Sequence, residues 1–415
     1  MPFRIDKERL WNRLMSLGEL GGTPKGGCCR LALTDLDRQA RDLFIGWCKD
    51  LGCEISVDQI GNIFARKAGS GENTAAVATG SHLDTQPTGG KFDGILGCLA
   101  GLEALESMRD HSLQAEHPIE LCVWTNEEGA RFAPAMLASG VYSGKFSLDY
   151  GLSQEDRDGI SVGAALDAIG YRGEQAVGAR EHREFYELHI EQGPVLENQE
   201  LEIGVVSGVL GMRWYDLTLN GTPAHAGPTP MAYRRDALYA ASKITTALYE
   251  LALAHADGDA RFTSGELHID KCSRNVIPGE LHMTIDLRHA DQAGLQQLEV
   301  ETRAIIKEVS QDTGVEAELT RIWDSPPRAF NSDCVAAVKA ACERTGLSHQ
   351  LMISGAGHDA VNISTVTPTA MIFIPSVGGI SHNESEYSTP QQVANGAQTL
   401  FELICERAGA KPTHV

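Results

Sequence analysis

Histidine and carboxylate side chains that could bind metal ions follow four short apolar runs of this sequence. They are His82 with Asp93, Glu127 with Glu128, His189, and His382. Imidazole nitrogens and carboxylate oxygens are common protein ligands of divalent transition metals. Taken singly, such residues could equally be satisfied core histidines or helix-capping acids. Because ligands bind at the carboxyl ends of strands in open α/β sheets, residues that follow separate strands can converge there.

The size of this donor set indicates how many ions it could hold. Three imidazoles and at least two carboxylates, with no thiolate, would overcoordinate a single ion. Two ions that share a carboxylate fit the set better, at the roughly 3.5–4 Å separation of co-catalytic pairs. Glu127 and Glu128 are adjacent, so an extended segment directs their side chains to different sides. One of them can then bind an ion while the other acts as a general base.

The segments around these residues predict the strands and helices that must position them. Strand-length runs, apolar or alternating, occupy residues 75–78, 119–124, 185–190 and 370–374. Residues 95–108 carry apolar side chains at helical spacing. His82 therefore lies where a strand ends, and Asp93 lies where a helix begins. Turn-forming proline and glycine residues between them can fold the two side chains together.

The order of elements predicts two domains, since 415 residues exceed what one hydrophobic core usually supports. After residue 209 the order becomes β-α-β-β-α-β, which is typical of a small open sheet with helices on one face. Beyond Pro326 the α/β pattern resumes. We therefore expect a larger mixed-sheet α/β domain, residues 1–208 and 323–415, interrupted by a smaller α+β domain, residues 209–322.

Charge and composition exclude several classes of partner. The net charge is −21, from 35 Lys and Arg against 56 Asp and Glu, with no long single-sign block. Nucleic acids and anionic membranes attract clustered basic residues, so neither is expected as a partner. No apolar run approaches the roughly 18 residues of a membrane span, and the charged N-terminus does not resemble a signal peptide. The ten cysteines form no regular framework, which favours a reducing compartment, and we expect a cytoplasmic protein.

Five motifs resemble the dinuclear aminoacylase and carboxypeptidase superfamily, and the similarity runs along nearly the whole chain. They are His82-Leu83-Asp84, the helix start Asp93-Gly94, Thr125-Asn126-Glu127-Glu128-Gly129, His189-Ile190-Glu191-Gln192-Gly193-Pro194 and Ser381-His382-Asn383-Glu384. Peptidase members typically have a carboxylate where this chain has His189. The chain therefore more narrowly resembles the carbamoyl-amidohydrolase branch, which comprises N-carbamoyl-L-amino acid hydrolases, β-ureidopropionases and allantoate amidohydrolases.

The resemblance implies which residues hold the ions. His82 and His189 would bind one ion, Glu128 and His382 would bind the other, and Asp93 would bridge the two. Two divalent ions per subunit are implied. Zn²⁺ is the first expectation, and nitrogen and oxygen ligands also accept Mn²⁺, Co²⁺ or Ni²⁺.

The resemblance also implies two roles beside the ligands. Glu127 would be the general base that activates the bridging water. Asp84 would belong to the catalytic group by orienting His82, since a ligating imidazole needs an acceptor on its other nitrogen.

Five further residues match substrate-binding positions of the family: Gln192, His225, Asn275, Arg288 and Gly357. The planar guanidinium of Arg288 suits a substrate carboxylate, although in its predicted strand an outward salt bridge is an alternative. His225, which would also count as catalytic, and Asn275 would donate to the developing oxyanion, where one donor is worth about 3 kcal/mol. The carbonyl of Gln192 would face the ureido N–H groups.

The implied activity is hydrolysis of the ureido group of a small anionic substrate, an N-carbamoyl-L-amino acid or β-ureidopropionate, to the amino acid, CO2 and NH3. Allantoate hydrolysis is the alternative within the branch, whereas His189 and Gln192 argue against an aminoacylase or dipeptidase. A non-catalytic binding protein of this fold is disfavoured because every ligand and the base are present. The family commonly dimerises through the smaller domain, so we expect a homodimer in which this domain is also a lid and His225 could act across subunits.

Overall fold

The computed structural model describes residues 3–72, 74–178 and 180–413. The chain divides into two compact units, of which Met1–Gly208 with Phe330–Val415 is the larger and Val209–Ala329 the smaller. The sequence-based boundary at residue 322 precedes the end of the smaller unit, because strand pairing continues to Ser325.

The helices and strands follow one another along the chain in three stretches. Before residue 210 they are α1 (Lys7–Glu19), α2 (Asp35–Asp50), β1 (Glu54–Val57), β2 (Ile63–Lys67), β3 (Ala76–His82), α3 (Ile95–Asp110), β4 (Leu113–Gln114), β5 (Ile119–Trp124), α4 (Leu137–Tyr142), α5 (Leu148–Ser153), α6 (Val162–Ile169), β6 (His182–Ile190), α7 (Val195–Asn198) and β7 (Ile203–Val209). Between residues 210 and 329 they are β8 (Gly211–Asn220), β9 (Ala224–His225), α8 (Ala237–Ala254), β10 (Arg261–Thr263), β11 (Leu267–Ile269), β12 (Val276–Ile277), β13 (Glu280–His289), α9 (Gln292–Thr313), β14 (Glu316–Ser325) and β15 (Arg328–Ala329). After residue 330 they are α10 (Ser332–Thr345), β16 (His349–Ser354), α11 (Asp359–Ile363), β17 (Thr369–Ile374), α12 (Pro390–Arg407) and β18 (Lys411–Pro412).

The larger unit is built on one mixed sheet with the strand order β1-β2-β5-β3-β6-β17-β7, and β16 also pairs with β7. Strand β3 is parallel to β5 and β6, and β6 is parallel to β17. Strand β2 is antiparallel to β5, and β7 is antiparallel to β17. The carboxyl ends of β5, β3, β6 and β17 therefore lie at one edge of the sheet, as in other α/β proteins with ligand sites there. The predicted mixed α/β fold is confirmed.

The central strands are apolar because helices cover the sheet. Every residue of β3, β5 and β17 is buried, in agreement with the mainly apolar composition of these segments. Helix α3 packs against β3, and it also contacts α1 and α12. These contacts bury apolar side chains from all three helices in the core of the larger unit.

Helix α3 approaches the sheet unusually closely at Gly97. A Cβ at this position would lie 2.5 Å from the Leu188 carbonyl oxygen and 2.8 Å from the Ser81 Cβ, so no larger residue fits without movement. Leu188 and Ser81 precede His189 and His82 on their strands. The close approach therefore brings the start of α3 to the strand ends that carry the two histidines.

The smaller unit has its own sheet and its own hydrophobic core. Its strand order is β10-β13-β8-β14, with β11 also paired to β13, and neighbouring strands of this sheet run antiparallel. Helices α8 and α9 pack on this sheet and on each other. Strands β9 and β12 form a separate two-stranded ladder. Among the described residues of either unit, no helix is long and apolar enough to cross a membrane.

Candidate metal centre

The carboxylate of Asp93 lies between two buried histidines at the carboxyl edge of the larger sheet. His82 is the last residue of β3, His189 lies near the end of β6, and Asp93 immediately precedes Gly94, the N-cap residue of α3. Asp93 Oδ1 is 3.4 Å from His82 Nε2 and 3.0 Å from His189 Nε2. The three residues are at most 4% exposed. His82, Asp93 and His189 form the first donor group, with two nitrogens and one oxygen.

The second oxygen of Asp93 faces another donor pair. Asp93 Oδ2 is 3.6 Å from His382 Nε2, which is 3.4 Å from Glu128 Oε2. Within His82–Asp93–His189, and again within Asp93–Glu128–His382, the ligand atoms lie within 4.8 Å of one another. Asp93, Glu128 and His382 form the second donor group. Two such groups, which contain nitrogen and oxygen ligands and share the Asp93 carboxylate, fit a pair of divalent ions.

The far side of each buried imidazole is held by the main chain. His82 Nδ1 lies 2.9 Å from the Asp84 carbonyl oxygen, and His189 Nδ1 lies 2.9 Å from the Ile190 carbonyl oxygen. Because a carbonyl oxygen only accepts, Nδ1 carries the hydrogen in each neutral imidazole. The Nε2 lone pair is left for an ion, which is the arrangement that metal-ligating histidines usually show.

The side chain of Asp84 makes different contacts from those that the sequence predicts. Its main-chain oxygen, and not its carboxylate, is the acceptor for His82. The carboxylate instead accepts hydrogen bonds from the main-chain N–H groups of Glu127 and Glu128, each at 3.3 Å. Asp84 therefore orients the histidine through its backbone and positions the two adjacent glutamates through its side chain.

The charges of the centre shift the pKa values of its groups in opposite directions. Burial alone raises the pKa of a carboxyl, but the imidazoles of His189 and His82 outweigh it and hold the pKa of Asp93 well below its usual value. Burial lowers the pKa of an imidazole, yet the carboxylates of Glu127 and Asp93 raise the pKa of His82 well above its usual value. Burial and the Asp93 carboxylate raise the pKa of Glu128 to about 8. Such crowded carboxylates favour the binding of cations.

Glu127 lies beside the first donor group without being part of it. Its Oε2 is 3.6 Å from His82 Nε2, and the residue is 8% exposed. Burial, with the Asp359 and Glu128 carboxylates, raises the pKa of Glu127 well above its usual value, although His82 acts in the opposite direction. A buried carboxylate with a raised pKa can accept a proton from water near neutral pH.

Comparison with known proteins identifies the family. Residues 78–406 match Peptidase family M20/M25/M40. The chain therefore belongs to the M20 family. This family is metal-dependent, in agreement with the two donor groups.

The relatives of the chain within the M20 family include carbamoyl amidohydrolases, as the motifs imply. An N-carbamoyl-L-amino-acid amidohydrolase of Rhizobium meliloti is 42% identical over 405 residues, or 98% of this chain and 97% of that protein. An allantoate amidohydrolase of Escherichia coli (strain K12) is 37% identical, and the match covers 95% of this chain and 96% of that protein. The crystal structure of an amidase of the hydantoinase/carbamoylase family from Burkholderia multivorans has a TM-score of 0.96 at 49% identity, with 99% of this chain and 100% of that chain covered. The resemblance to the carbamoyl-amidohydrolase branch is confirmed.

Gln192 contacts the carboxylate of Asp93, which the two donor groups share. Its Nε2 donates to Asp93 Oδ2 at 2.8 Å and to Ser381 Oγ at 3.3 Å. Its Oε1 is buried and has no hydrogen-bond partner among the described residues. A buried acceptor without a donor is costly, so this oxygen is suited to a ligand N–H group.

Sequence reasoning missed Ser381 as a contact of Asp93 and missed Glu386 altogether. The Ser381 hydroxyl lies 3.0 Å from Asp93 Oδ2 and 2.9 Å from Glu386 Oε2. Glu386 Oε1 also accepts hydrogen bonds from the main-chain N–H groups of Phe92 and Asp93. Burial and the Asp93 carboxylate raise the pKa of Glu386 to about 7. The signal available in the sequence was the polar run Asn383-Glu384-Ser385-Glu386, which follows directly after His382.

Residues in the left-handed region of backbone conformation are present throughout this centre. Asn126, Met136, Gln192 and His382 have φ angles of 56°, 52°, 58° and 54°. Residues other than glycine seldom adopt this conformation, and such strain is concentrated at functional sites. Of the four, Gln192 and His382 are residues for which the sequence predicts a role.

Gly357 lies beside the first donor group. It precedes His358, whose ring is 4.6 Å from the ring of His189 between centroids. A Cβ at Gly357 would lie 2.8 Å from Met136 Cε and 3.2 Å from Met136 Sδ. Gly357 therefore leaves room for the Met136 thioether and lies one residue from a histidine that packs against the first donor group.

The smaller unit brings His225 and Asn275 together. His225 pairs with Val276 across the β9–β12 ladder, and the N–H of Ala226 donates to the Asn275 carbonyl oxygen at 2.9 Å. Both His225 and Asn275 are exposed. Arg288 lies on β13, where its Nη2 donates to Asp286 Oδ2 at 2.7 Å. The salt bridge that was the alternative for Arg288 is thus present, with its partner two residues away on the same face of the strand.

Proposed function

We propose that this chain is a metal-dependent amidohydrolase that removes the carbamoyl group from N-carbamoyl-L-amino acids or from β-ureidopropionate. The products are the free amino acid, CO2 and NH3. The main support is the pair of donor groups that share Asp93, with Glu127 beside them, in a chain that is 42% identical to an N-carbamoyl-L-amino-acid amidohydrolase. His189 supplies an imidazole at the position where peptidase members of the superfamily typically have a carboxylate.

Two divalent ions per subunit belong to this proposal. His82, His189 and Asp93 would hold one, and Asp93, Glu128 and His382 would hold the other. Zn²⁺ is the preferred ion, and the same donors accept Mn²⁺, Co²⁺ or Ni²⁺. When bound, such ions polarise a carbonyl oxygen and lower the pKa of water.

Glu127 carries the proton transfers. Its carboxylate takes a proton from the water that attacks the carbamoyl carbon, and it later gives a proton to the nitrogen that leaves. One C–N bond breaks in this step, and the carbamate that remains decomposes to CO2 and the second amine. Asp84 holds the main chain of Glu127 while this occurs.

The remaining residues would bind the substrate. The free Oε1 of Gln192 is suited to a ureido N–H group. His225 and Asn275 would donate to the carbamoyl oxygen, and Arg288 would bind the carboxylate. Because Arg288 already contacts Asp286, the substrate carboxylate must share this guanidinium or replace Asp286.

The domain roles are also part of the proposal. Residues 1–208 and 330–415 would form the catalytic domain, and residues 209–329 would form a lid that excludes water and joins two subunits in a homodimer. Exposed apolar side chains of the smaller unit, such as Met231 at 77% and Tyr233 at 79%, are consistent with an interface. Light scattering of the purified protein tests the dimer, and fractionation of the cell tests the proposed cytoplasmic location.

A substrate panel tests the proposed activity. Metal-stripped enzyme is reconstituted with each divalent ion and supplied with N-carbamoyl-alanine, β-ureidopropionate, allantoate and N-acetyl-alanine. We expect the highest kcat/KM on one of the first two compounds and negligible turnover of N-acetyl-alanine. Fastest turnover of N-acetyl-alanine would contradict the proposal and indicate an aminoacylase.

Allantoate hydrolysis is the second candidate. The observation in its favour is the 37% identity to an allantoate amidohydrolase over 95% of this chain. Both activities need the same donor groups and the same base. The same panel separates them, because the second candidate requires allantoate to give the highest kcat/KM.

A further inference from the structure

Met136 has a strained backbone near the candidate metal centre and no role in the reaction described above. Its φ of 52° lies in the left-handed region, which few residues other than glycine adopt. Asn126, Gln192 and His382 share this conformation and lie at the same centre. Strain of this kind is costly and persists only where the surrounding structure enforces it. The position of the Met136 side chain is therefore a built feature of the site.

The backbone of Met136 is tied to the segment that carries the base. Its N–H donates to the Glu127 carbonyl oxygen at 2.6 Å, and the next N–H, of Leu137, donates to the Asn126 carbonyl oxygen at 3.2 Å. The Met136 carbonyl oxygen accepts from the side-chain amide of Asn362 at 3.1 Å. Helix α4 begins immediately after Met136. Hydrogen bonds from the N–H and to the carbonyl oxygen of Met136 thus fix the position of its Cα.

The thioether of Met136 lies against Gly357. A Cβ on Gly357 would approach Met136 Cε to 2.8 Å and Sδ to 3.2 Å, so the absence of a side chain there makes room for the thioether. The adjacent His358 packs its ring against that of His189. Met136 is only partly buried. Its thioether therefore lies at a partly exposed position beside Gly357, one residue from His358, while its main chain is bonded to that of Glu127.

We propose that Met136 forms the apolar wall of the pocket that receives the amino-acid side chain of the substrate, and that it limits the size and polarity of this group. The inference rests on the proposed function. Methionine is flexible and polarisable, so it adapts to apolar side chains of intermediate size. A thioether offers no strong hydrogen bond to the second ureido group of allantoate, which would lose its bonds to water there. The wall thus favours apolar N-carbamoyl-L-amino acids over allantoate.

Substrate selectivity tests this role. The metal-reconstituted wild type and the variants Met136→Ala, Met136→Phe and Met352→Ala are compared by kcat/KM on N-carbamoyl-alanine, N-carbamoyl-methionine and N-carbamoyl-tryptophan. Met352→Ala is the matched control, because Met352 is also partly buried with its thioether against a glycine, Gly204, but on another part of the sheet.

The two substitutions of Met136 should change selectivity in opposite directions. A shorter side chain opens the pocket, so Met136→Ala should raise the tryptophan-to-methionine ratio of kcat/KM by about tenfold, the scale of a few methylene contacts. Met136→Phe closes the pocket and should lower the tryptophan-to-alanine ratio by a similar factor. The control should leave both ratios within about twofold of the wild type, since surface and distant changes act independently.

Uniform loss of kcat with unmoved ratios would show that Met136 only supports the backbone of Glu127, and would overturn the inference. The melting temperature and the metal content of each sample identify a variant that has lost its fold. The test then rests on the Met136 variant that retains the melting temperature and the metal content of the wild type. A wild type without activity on any N-carbamoyl compound would overturn the proposed function itself. An active wild type with unchanged ratios in the variants would overturn only the role of Met136.

Discussion

The main-chain N–H of Asp93 donates a hydrogen bond to Glu386 Oε1 at 3.1 Å. Through its other oxygen, Glu386 contacts the hydroxyl of Ser381, the residue before His382. One buried carboxylate thus connects the backbone of the shared ligand with the segment that carries the most exposed ligand. This connection fixes the spacing within the second donor group, although Glu386 is not itself one of the donors.

We expect Glu386→Gln to weaken metal binding at the second donor group. The neutral amide is a poorer acceptor for two main-chain N–H groups, and loss of such supporting contacts typically costs about 10–100-fold in metal affinity. Metal content after dialysis against graded chelator measures the effect. Glu384→Gln is the control, because Glu384 lies two residues away and pairs with Lys25 at 3.4 Å. Equal metal retention in both variants would contradict the role of Glu386.

Glu127→Gln should abolish turnover while two ions per subunit remain bound. The substitution removes the carboxylate that we propose as the proton acceptor, and such groups contribute about 10²–10⁴-fold to rate. It leaves the donors His82, Asp93 and Glu128 unchanged. Steady-state kinetics and elemental analysis on the same sample give the two readouts. Simultaneous loss of metal and activity would argue that Glu127 is a ligand and not the base.

Metal affinity at the second donor group should rise with pH. Burial and Asp93 raise the pKa of Glu128 to about 8, so below this pH the metal-free protein carries a proton on Glu128. An ion must displace that proton, and each pH unit below 8 then costs about tenfold in apparent affinity, with no further gain above it. Calorimetric titration between pH 6 and pH 9, in buffers with different ionisation enthalpies, counts the protons released. Glu128→Gln should release fewer protons at pH 7, and an unchanged count would refute the assignment.

Patterns along the chain were sufficient to single out the residues of the two donor groups, which we propose as metal ligands. The apolar runs that end in polar residues predict the positions of His82, His189 and the start of α3. These positions converge because parallel strands present their carboxyl ends at one edge of the sheet. The extent of α3, Ile95–Asp110, agrees closely with its apolar period over 95–108. The mixed sheet of the larger unit, and a small open sheet in the smaller unit, were predictable from the order of apolar runs and helical periods along the chain.

Contacts between distant segments were not accessible in this way. The bonds from Glu386 to Phe92 and Asp93 join residues that no periodicity relates. The left-handed backbone of Met136 depends on tertiary hydrogen bonds, since its residue type favours the opposite sign of φ. Whether Arg288 contacts Asp286 or a ligand depends on strand register and surroundings, so the sequence left both alternatives open.

The narrow gap between α3 and the sheet makes Gly97 a remote determinant of ion occupancy. Any side chain there must displace the helix from Leu188, and the helix begins one residue after the Gly94 cap that follows Asp93. A screen for inactive variants would therefore recover substitutions at a position that touches neither ion nor substrate. Such alleles would mimic the loss of a ligand, although every donor atom is still encoded.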